Sequence, residues 1–358
     1  MKNKRLNELV LSSNKNINDL TYLEIIKYLQ ENDEIKKNLP SRLIAKDPRN
    51  FNQVVYSEAR AFRPCNSFDE TLNEENCPIC EGKTTRILDV AKLSEGHTFI
   101  NLNLYPILYP FKNEQLNETS YYEKMYGTHF LHWHSTDHQK DFHNMEIEDI
   151  KICFERIADL EKFLLTSESH ISFSDNNKRG HITIIKNYRR GGSLAHGHIQ
   201  IFHASSLSKA EIADREFLKK YGYGFSSLLQ NEKTSEITFS YNKNEVVVIT
   251  PFCIRRPLEC TICFKDCTKN YLHQLSEQEL YGLSQVFSHV TKSIFKIMPD
   301  NFGLKPSYTI LFHLGEIGGL YIEILPHTQE LGACEYLGFY VCDGTAKYST
   351  ELYKKAKL

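Results

Sequence analysis

Gly191-Gly192-Ser193-Leu194-Ala195-His196-Gly197-His198-Ile199-Gln200-Ile201-Phe202 gathers two glycines, a serine, two histidines and a glutamine into one turn and one strand. Ile199, Ile201 and Phe202 predict a β-strand from His196 onward. Period-two alternation then puts His196, His198 and Gln200 on one face and Gly197, Ile199 and Ile201 on the other. The polar face offers a nucleophilic imidazole and hydrogen-bond donors to a phosphate, and the Gly-Gly-Ser turn before it lets backbone N–H groups approach an anion. The apolar face reads as core. A lone H-x-H is more often a chance pair or a stray metal site than a catalytic motif, so the whole string has to carry the reading.

That string, G-x-S-x-x-H-x-H-x-Q followed by a hydrophobic residue, resembles the active-site strand of the galactose-1-phosphate uridylyltransferase branch of the histidine triad superfamily. The resemblance implies that His198 attacks the α-phosphorus of a nucleotide and carries the nucleotidyl group covalently, with Gln200 as the family's glutamine. Gly197 stands where the family usually has proline.

Composition sets the outer bounds. At roughly 150 residues per domain, 358 residues suggest about two domains or one large two-part fold. Hydrophobic content of 41% and charged content of 25% are ordinary for a globular protein. No apolar run reaches the roughly 18 residues of a membrane span, and Met1-Lys2-Asn3-Lys4-Arg5 leads into polar sequence and not into a secretory signal. The expectation is a cytoplasmic protein. A net charge of −2 gives no basic excess for nucleic acid or a membrane surface, so any phosphate binding is local. Ten irregularly spaced cysteines without a signal peptide favour thiols and a metal site over a disulfide framework.

Along the chain, residues 1–50 read as a polar helical extension, with Thr21-Tyr22-Leu23-Glu24 as a capping box and Leu23, Ile26 and Leu29 as a narrow apolar stripe. Its expected duty is packing on the main body or on a partner subunit. Tyr56 to Pro64 resembles the family's early R-A-x-R-P segment, which makes Arg60 and Arg63 candidates to hold phosphate through their planar fork of donors. Without the resemblance, two surface arginines would be the simpler reading. Cys77-Pro78-Ile79-Cys80 can bring two thiolates to one zinc; no thioredoxin-like pattern surrounds it to suggest a redox pair.

By the resemblance, Gly127 to His138 matches a family strand ending in S-P-x-H, so the third ligand falls on His138 and the fourth on His196. By spacing alone His129, His132 and His134 compete for the third place. Four nitrogen and sulfur ligands would make a closed, structural zinc site that fixes the strand presenting His198. Asn103 matches an asparagine that contacts the nucleoside, although a strand-end Asn satisfying its own backbone is the structural alternative. Asn187 matches one that holds phosphate, and Ser193 completes the donors. Arg189 and Arg190 add positive charge that hints at an unusually anionic substrate.

The second half reads as a worn copy of the first. Phe142 to Ile150 aligns without gaps on Leu272 to Leu280, and Tyr321 and Glu323 stand where the first half has His198 and Gln200. The family's second metal site uses histidines at those places, so it is expected to be absent, with His313 a satisfied core residue. Cys260-Thr261-Ile262-Cys263 lies in an extended run whose positions three apart face opposite ways, which makes these, with Cys253 and Cys267, ordinary strand residues.

The expected fold is α+β: two histidine-triad-like repeats, 51–215 catalytic and 216–358 degenerate, sharing a mostly antiparallel sheet with helices against it. The implied activity moves a nucleoside monophosphate from a nucleoside diphosphate sugar or dinucleotide to a phosphate or sugar-phosphate acceptor. Alternatives are a phosphorylase of such nucleotides and an inactive, zinc-stapled nucleotide-binding protein. The resemblance also implies a homodimer. Tyr340 in Leu337-Gly338-Phe339-Tyr340 replaces the family's hexose-reading glutamate, so galactose 1-phosphate is expected to be a poor acceptor.

Overall fold

The computed structural model describes residues 2–41, 43–50, 52–63, 77–111, 117–167, 180–231 and 245–356. Pro64, part of the arginine segment, lies outside them.

The chain opens with helices α1 (Lys2–Ser13), α2 (Tyr22–Glu31) and α3 (Asp33–Lys37). The Thr21 capping box forms, its hydroxyl accepting from the Glu24 N–H while Glu24 reaches back to the Thr21 N–H. The buried stripe is Tyr22, Ile25, Ile26 and Leu29, and Leu23 is exposed. Spacing of i, i+3, i+4 and i+7 from Tyr22 gives one helical face, whereas Leu23 starts a face turned to solvent. Strand β1 (Leu43–Lys46) lies inside the stretch expected to be helical. It pairs with β2 (Gln53–Val55) and, further along, with β5 (Tyr122–Lys124) in a small antiparallel sheet. The extension is tied to the body by Asp89, which accepts from the Ile17 N–H and from the Arg156 guanidinium.

The main sheet has nine strands. β3 (Ile87–Lys92), β4 (His97–Leu102), β6 (Gly127–Trp133), β7 (His181–Tyr188) and β8 (His198–Ala204) come from the first half. β9 (Val246–Ile249), β10 (Cys260–Phe264), β11 (Tyr308–His313) and β12 (Tyr321–Pro326) come from the second. Their order is β3-β4-β6-β8-β7-β11-β12-β10-β9, every neighbour antiparallel, so the expected continuous sheet is present. Outward from the β7–β11 junction the strand order matches: β8 with β12, β6 with β10.

Helix α4 (Ile147–Thr166) follows β6, and α7 (Glu277–Ile297) follows β10. Between them lie α5 (Lys209–Tyr221) and α6 (Phe225–Asn231); α8 (Ala333–Tyr336) and α9 (Ala346–Lys355) end the chain. The gapless alignment of Phe142–Ile150 on Leu272–Leu280 puts the N-cap Glu146 of α4 opposite the N-cap Ser276 of α7. Both helices pack together under the apolar face of the sheet. Phe154 meets Phe287 with ring centroids 4.9 Å apart, above a core that includes Ile184, Ile199, Ile201, Ile310 and Ile322. Burial of such side chains stabilises by about 2 kcal/mol each. The opposite face of the first-half strands borders a cavity.

Cys260 packs in the main core and Cys263 in a separate cluster with Tyr321 and Leu229, as opposite-facing strand positions should. Cys253 and Cys267 are not strand residues; both lie in turns.

Candidate active site and metal centre

Strand pairing assembles the open face. Residues directly opposite one another in antiparallel strands share a face. Trp133 lies opposite Phe99 on one side and His198 on the other; Leu131 lies between Asn101 and Gln200. His129 faces Phe202, and its carbonyl accepts from the Asn103 N–H. The floor is thus three strands wide and carries the candidate residues as a grid. A cavity above it is lined by Asn101, Asn103, Trp133, His198 and Gln200, by Arg60 and Arg63 from the segment after β2, and by Ser193 and Leu194 of the glycine turn.

Strand β8 starts at His198, two residues later than expected. The cause is the anchoring of the residues before it. A carbonyl oxygen can only accept, so the 2.7 Å contact of His196 Nε2 with Ser135 O puts the ring proton on Nε2 and leaves the Nδ1 lone pair facing Cys77 and Cys80. That nitrogen is 3.7 Å from Cys77 Sγ and 3.5 Å from Cys80 Sγ, and His138 Nδ1 is 3.4 Å from Cys80 Sγ. All four ligand atoms lie within 4.8 Å of one another and all four residues are buried. Tetrahedral zinc, with Zn–S near 2.3 Å and Zn–N near 2.0–2.1 Å, requires S···N separations of about 3.5 Å. The cluster therefore fits a four-coordinate metal. His129, His132 and His134 lie elsewhere: His132 bonds Thr98 at 2.9 Å, and His134 stacks on Phe142 at 4.2 Å.

His198 Nδ1 donates to the carbonyl of His196 at 2.8 Å, so its Nε2 lone pair is the free one. Burial pushes its pKa down to about 4, against the smaller upward pull of that backbone bond. The ring is thus neutral and nucleophilic at pH 7. Gly197 lies between the two histidines with no room for a side chain. A Cβ there would meet Lys140 O at 2.8 Å and Asp141 Oδ2 at 2.9 Å. The buried Asp141–Lys186 ion pair, 2.8 Å long, fills the space that a proline ring would need.

Arg60 donates to Tyr105 O at 2.7 Å; burial, then the neighbouring Arg63, lowers its pKa to about 10, which leaves it charged. Asn103 accepts from the Tyr105 N–H at 2.8 Å, so the local backbone bond weighed as its structural alternative forms, yet the residue also lines the cavity. Asn187 does not line it. Its side chain accepts from Thr309 Oγ1 at 2.9 Å and donates to Gly191 O at 3.3 Å, bracing the turn in which Gly191 has φ +78°. Arg189 and Arg190 are also absent from the lining: Arg190 pairs with Glu330, and Arg189 lies over the Tyr188 ring. Their charge therefore lies outside the cavity lining.

Sequence reasoning passed over Trp133 and Asn101. Trp133, the only tryptophan, donates to Asn101 Oδ1 at 3.0 Å and packs against both His196 and His198, at 5.4 and 4.9 Å. The available signal was the period-two pair Asn101 and Asn103, which must share a face.

Solved structures share this fold. A uridylyltransferase structure aligns with a TM-score of 0.66 at 18% identity, over 88% of this chain and 98% of the other. ADP-glucose phosphorylase from Arabidopsis thaliana, solved with bound ADP-glucose, aligns with a TM-score of 0.60 at 17% identity, covering 88% and 99%. A GalT-like protein from the same plant gives 0.61 at 17% identity, again covering 88% and 99%. The chain has the fold of these enzymes. Comparison of the sequence with family models and with curated proteins finds no match.

Proposed function

We propose that the protein is a nucleotidyltransferase of the galactose-1-phosphate uridylyltransferase branch, working by double displacement through His198. The observation that carries this reading is a neutral imidazole with its Nδ1–H tied to His196 O and its Nε2 free at a cavity lined by Arg60, Arg63, Ser193 and Gln200. The Nε2 lone pair attacks the α-phosphorus of a nucleotide or nucleotide sugar. The bond from phosphorus to the leaving phosphate or sugar phosphate breaks, and its electrons depart on oxygen. An acceptor phosphate oxygen then attacks phosphorus and returns the P–N electron pair to His198, so the ring needs no net proton change. Cationic and amide donors already in place stabilise charge on the phosphoryl oxygens.

Cys77, Cys80, His138 and His196 would hold zinc in a closed, structural site. Zinc there supplies rigidity: the residue whose side chain it binds, His196, is the residue whose carbonyl orients His198. The division of the chain at residue 215 and the homodimer are part of the same reading. Sedimentation showing a single 41.7 kDa chain removes the dimer.

Tyr340 and Phe339 are exposed and outside the cavity lining, which favours inorganic phosphate or a non-galactose phosphate as acceptor and keeps the phosphorylase reading open. Efficient conversion of galactose 1-phosphate with uridine diphosphate glucose would contradict that preference. The deciding experiment incubates the protein, without acceptor, with nucleoside diphosphate sugars and dinucleotides labelled in the α-phosphate. An acid-labile adduct on His198 with a stoichiometric burst of first product is expected. Label on another residue, or inversion at phosphorus over the full reaction, overturns the mechanism, and no reaction with any donor leaves the inactive binding protein as the better reading.

A further inference from the structure

None of the residues described in helix α1 lines the cavity above His198, yet its Leu6 and Val10 are fully buried. Four positions apart, they share one helical face. That face enters a cluster with Cys77, Cys80, Phe99 and Trp133 that is separate from the main core. We propose that α1 is a gate over the metal centre, and that Cys77 and Cys80 exchange metal with solution when α1 lifts from their knuckle. This rests on the zinc reading of the cluster given above.

The apolar shell around a metal site controls what reaches it from solvent. Cys80 has no exposed surface, but it shares the lining of a surface cavity with Arg5, Glu81, Gly82 and Lys83, so the way in runs along the start of α1. Asn7 latches the same stretch of helix by accepting from the Thr136 hydroxyl. In sequence Thr136 lies between Ser135, whose carbonyl contacts His196 Nε2, and the ligand His138, so the latch reaches the imidazole side as well.

The helix is built to open as a unit. With 12 residues, no acidic side chain in its first turn and no basic one in its last, it is at the margin of what stands alone in water. The chain leaves it through Asn14, whose φ of +35° turns the backbone. It is then pinned to β3, where the Val90 N–H donates to Lys15 O at 2.9 Å and Asp89 accepts from the Ile17 N–H. α1 can therefore swing about residue 14 while the strands beneath keep their hydrogen bonds. Leu6, Val10 and the Asn7 latch are released together in the open form, so each adds to the free energy of opening.

The test follows zinc as it leaves the loaded protein for an excess of a coloured chelator. When closing outpaces capture, the rate tracks the population of the open form, and each lost contact appears at its full equilibrium factor. Leu6→Ala should speed release by about 10²-fold, and Asn7→Ala by about tenfold. Asn7→Asp keeps an oxygen for the Thr136 hydroxyl and should return the rate close to that of the wild type. Ile25→Ala makes a comparable cavity in the main core beneath α2 and should leave release within about twofold, because Ile25 does not belong to the knuckle cluster. Release that Ile25→Ala speeds as much as Leu6→Ala does, or that Leu6→Ala and Asn7→Ala leave unchanged, overturns the gate. Should the wild type hold no zinc, the metal reading is what fails, and alkylation of Cys80 by iodoacetamide, mapped by mass spectrometry, judges the cover. Faster alkylation in Leu6→Ala than in the wild type or Ile25→Ala supports it, and equal rates overturn it.

Discussion

In the first half of the sheet, the paired strands β6 and β8 carry Leu131 opposite Gln200 and Trp133 opposite His198, and their face is open to a cavity. In the second half, β10 and β12 carry Thr261 opposite Glu323 and Cys263 opposite Tyr321, at the same places in the strand order. That second face is roofed. Phe225 of α6 lies 5.3 Å from the Tyr321 ring, and Leu229 joins Cys263 and Tyr321 in one buried cluster. The polar groups there satisfy one another: Tyr321 donates to Asp214 of α5 at 2.9 Å, and His313 lies between Asp214 at 3.4 Å and Glu323 at 3.0 Å. Arg255 completes the set on Glu323 at 2.8 Å. The comparison teaches that strand geometry alone does not make a site. In the first half thiols and imidazoles face each other with lone pairs that suit a metal, and His198 keeps a free lone pair at a cavity. In the second half acids meet bases, and each carboxylate oxygen of Asp214 and Glu323 has a donor beside it.

The sharpest way to break the contrast is to remove the free lone pair. His198→Asn should abolish covalent labelling while zinc stays bound, since His196 and not His198 faces the thiols. In the wild type the first-step rate should stay level between pH 8 and pH 6 and fall only as pH approaches about 4, where Nε2 becomes protonated. Labelling that declines already near pH 6.5 would put the reacting group elsewhere. The next largest effect is expected from Cys77→Ser/Cys80→Ser, which should lose zinc and on the order of 5 kcal/mol or more of stability, read by metal analysis and denaturant unfolding. Unchanged zinc content would remove the site.

The second half supplies a smaller and pH-dependent effect. Burial lowers the His313 pKa, but its bonds to Asp214 and Glu323 outweigh that and raise it to about 9. A folded-state pKa above the unfolded value of about 6.5 stabilises fully below pH 6.5, and the contribution fades as pH rises through about 9. His313→Gln should therefore cost about 3 kcal/mol near pH 6 and clearly less near pH 10, measured by urea unfolding at both. A penalty that grows with pH would contradict the charged-network reading. The smallest effect is assigned to Cys260→Ser or Cys263→Ser, which should leave zinc stoichiometry unchanged because the two thiols belong to separate clusters.

Much of this was legible in the sequence. Period two placed His198 and Gln200 on one face, the capping box marked the start of α2, and the gapless match of 142–150 to 272–280 set two equivalent helices after two equivalent strands. Local rules suffice there because the information lies within one or two turns of chain. The metal cluster needed the resemblance, since spacing alone left His129, His132, His134 and His138 equal. Folding separates them: Cys77 and His196 are 119 positions apart in the chain, and only the folded structure shows which imidazole reaches the thiols. The same holds for Asn187, matched as a phosphate ligand but turned to Thr309 of a strand 122 residues away. Gly197 required the tertiary structure too, because its missing Cβ is explained by Asp141 and Lys140 packed beneath it. Side-chain type and period are properties of the chain. Which lone pair stays free is decided by neighbours that the chain brings together only when it folds.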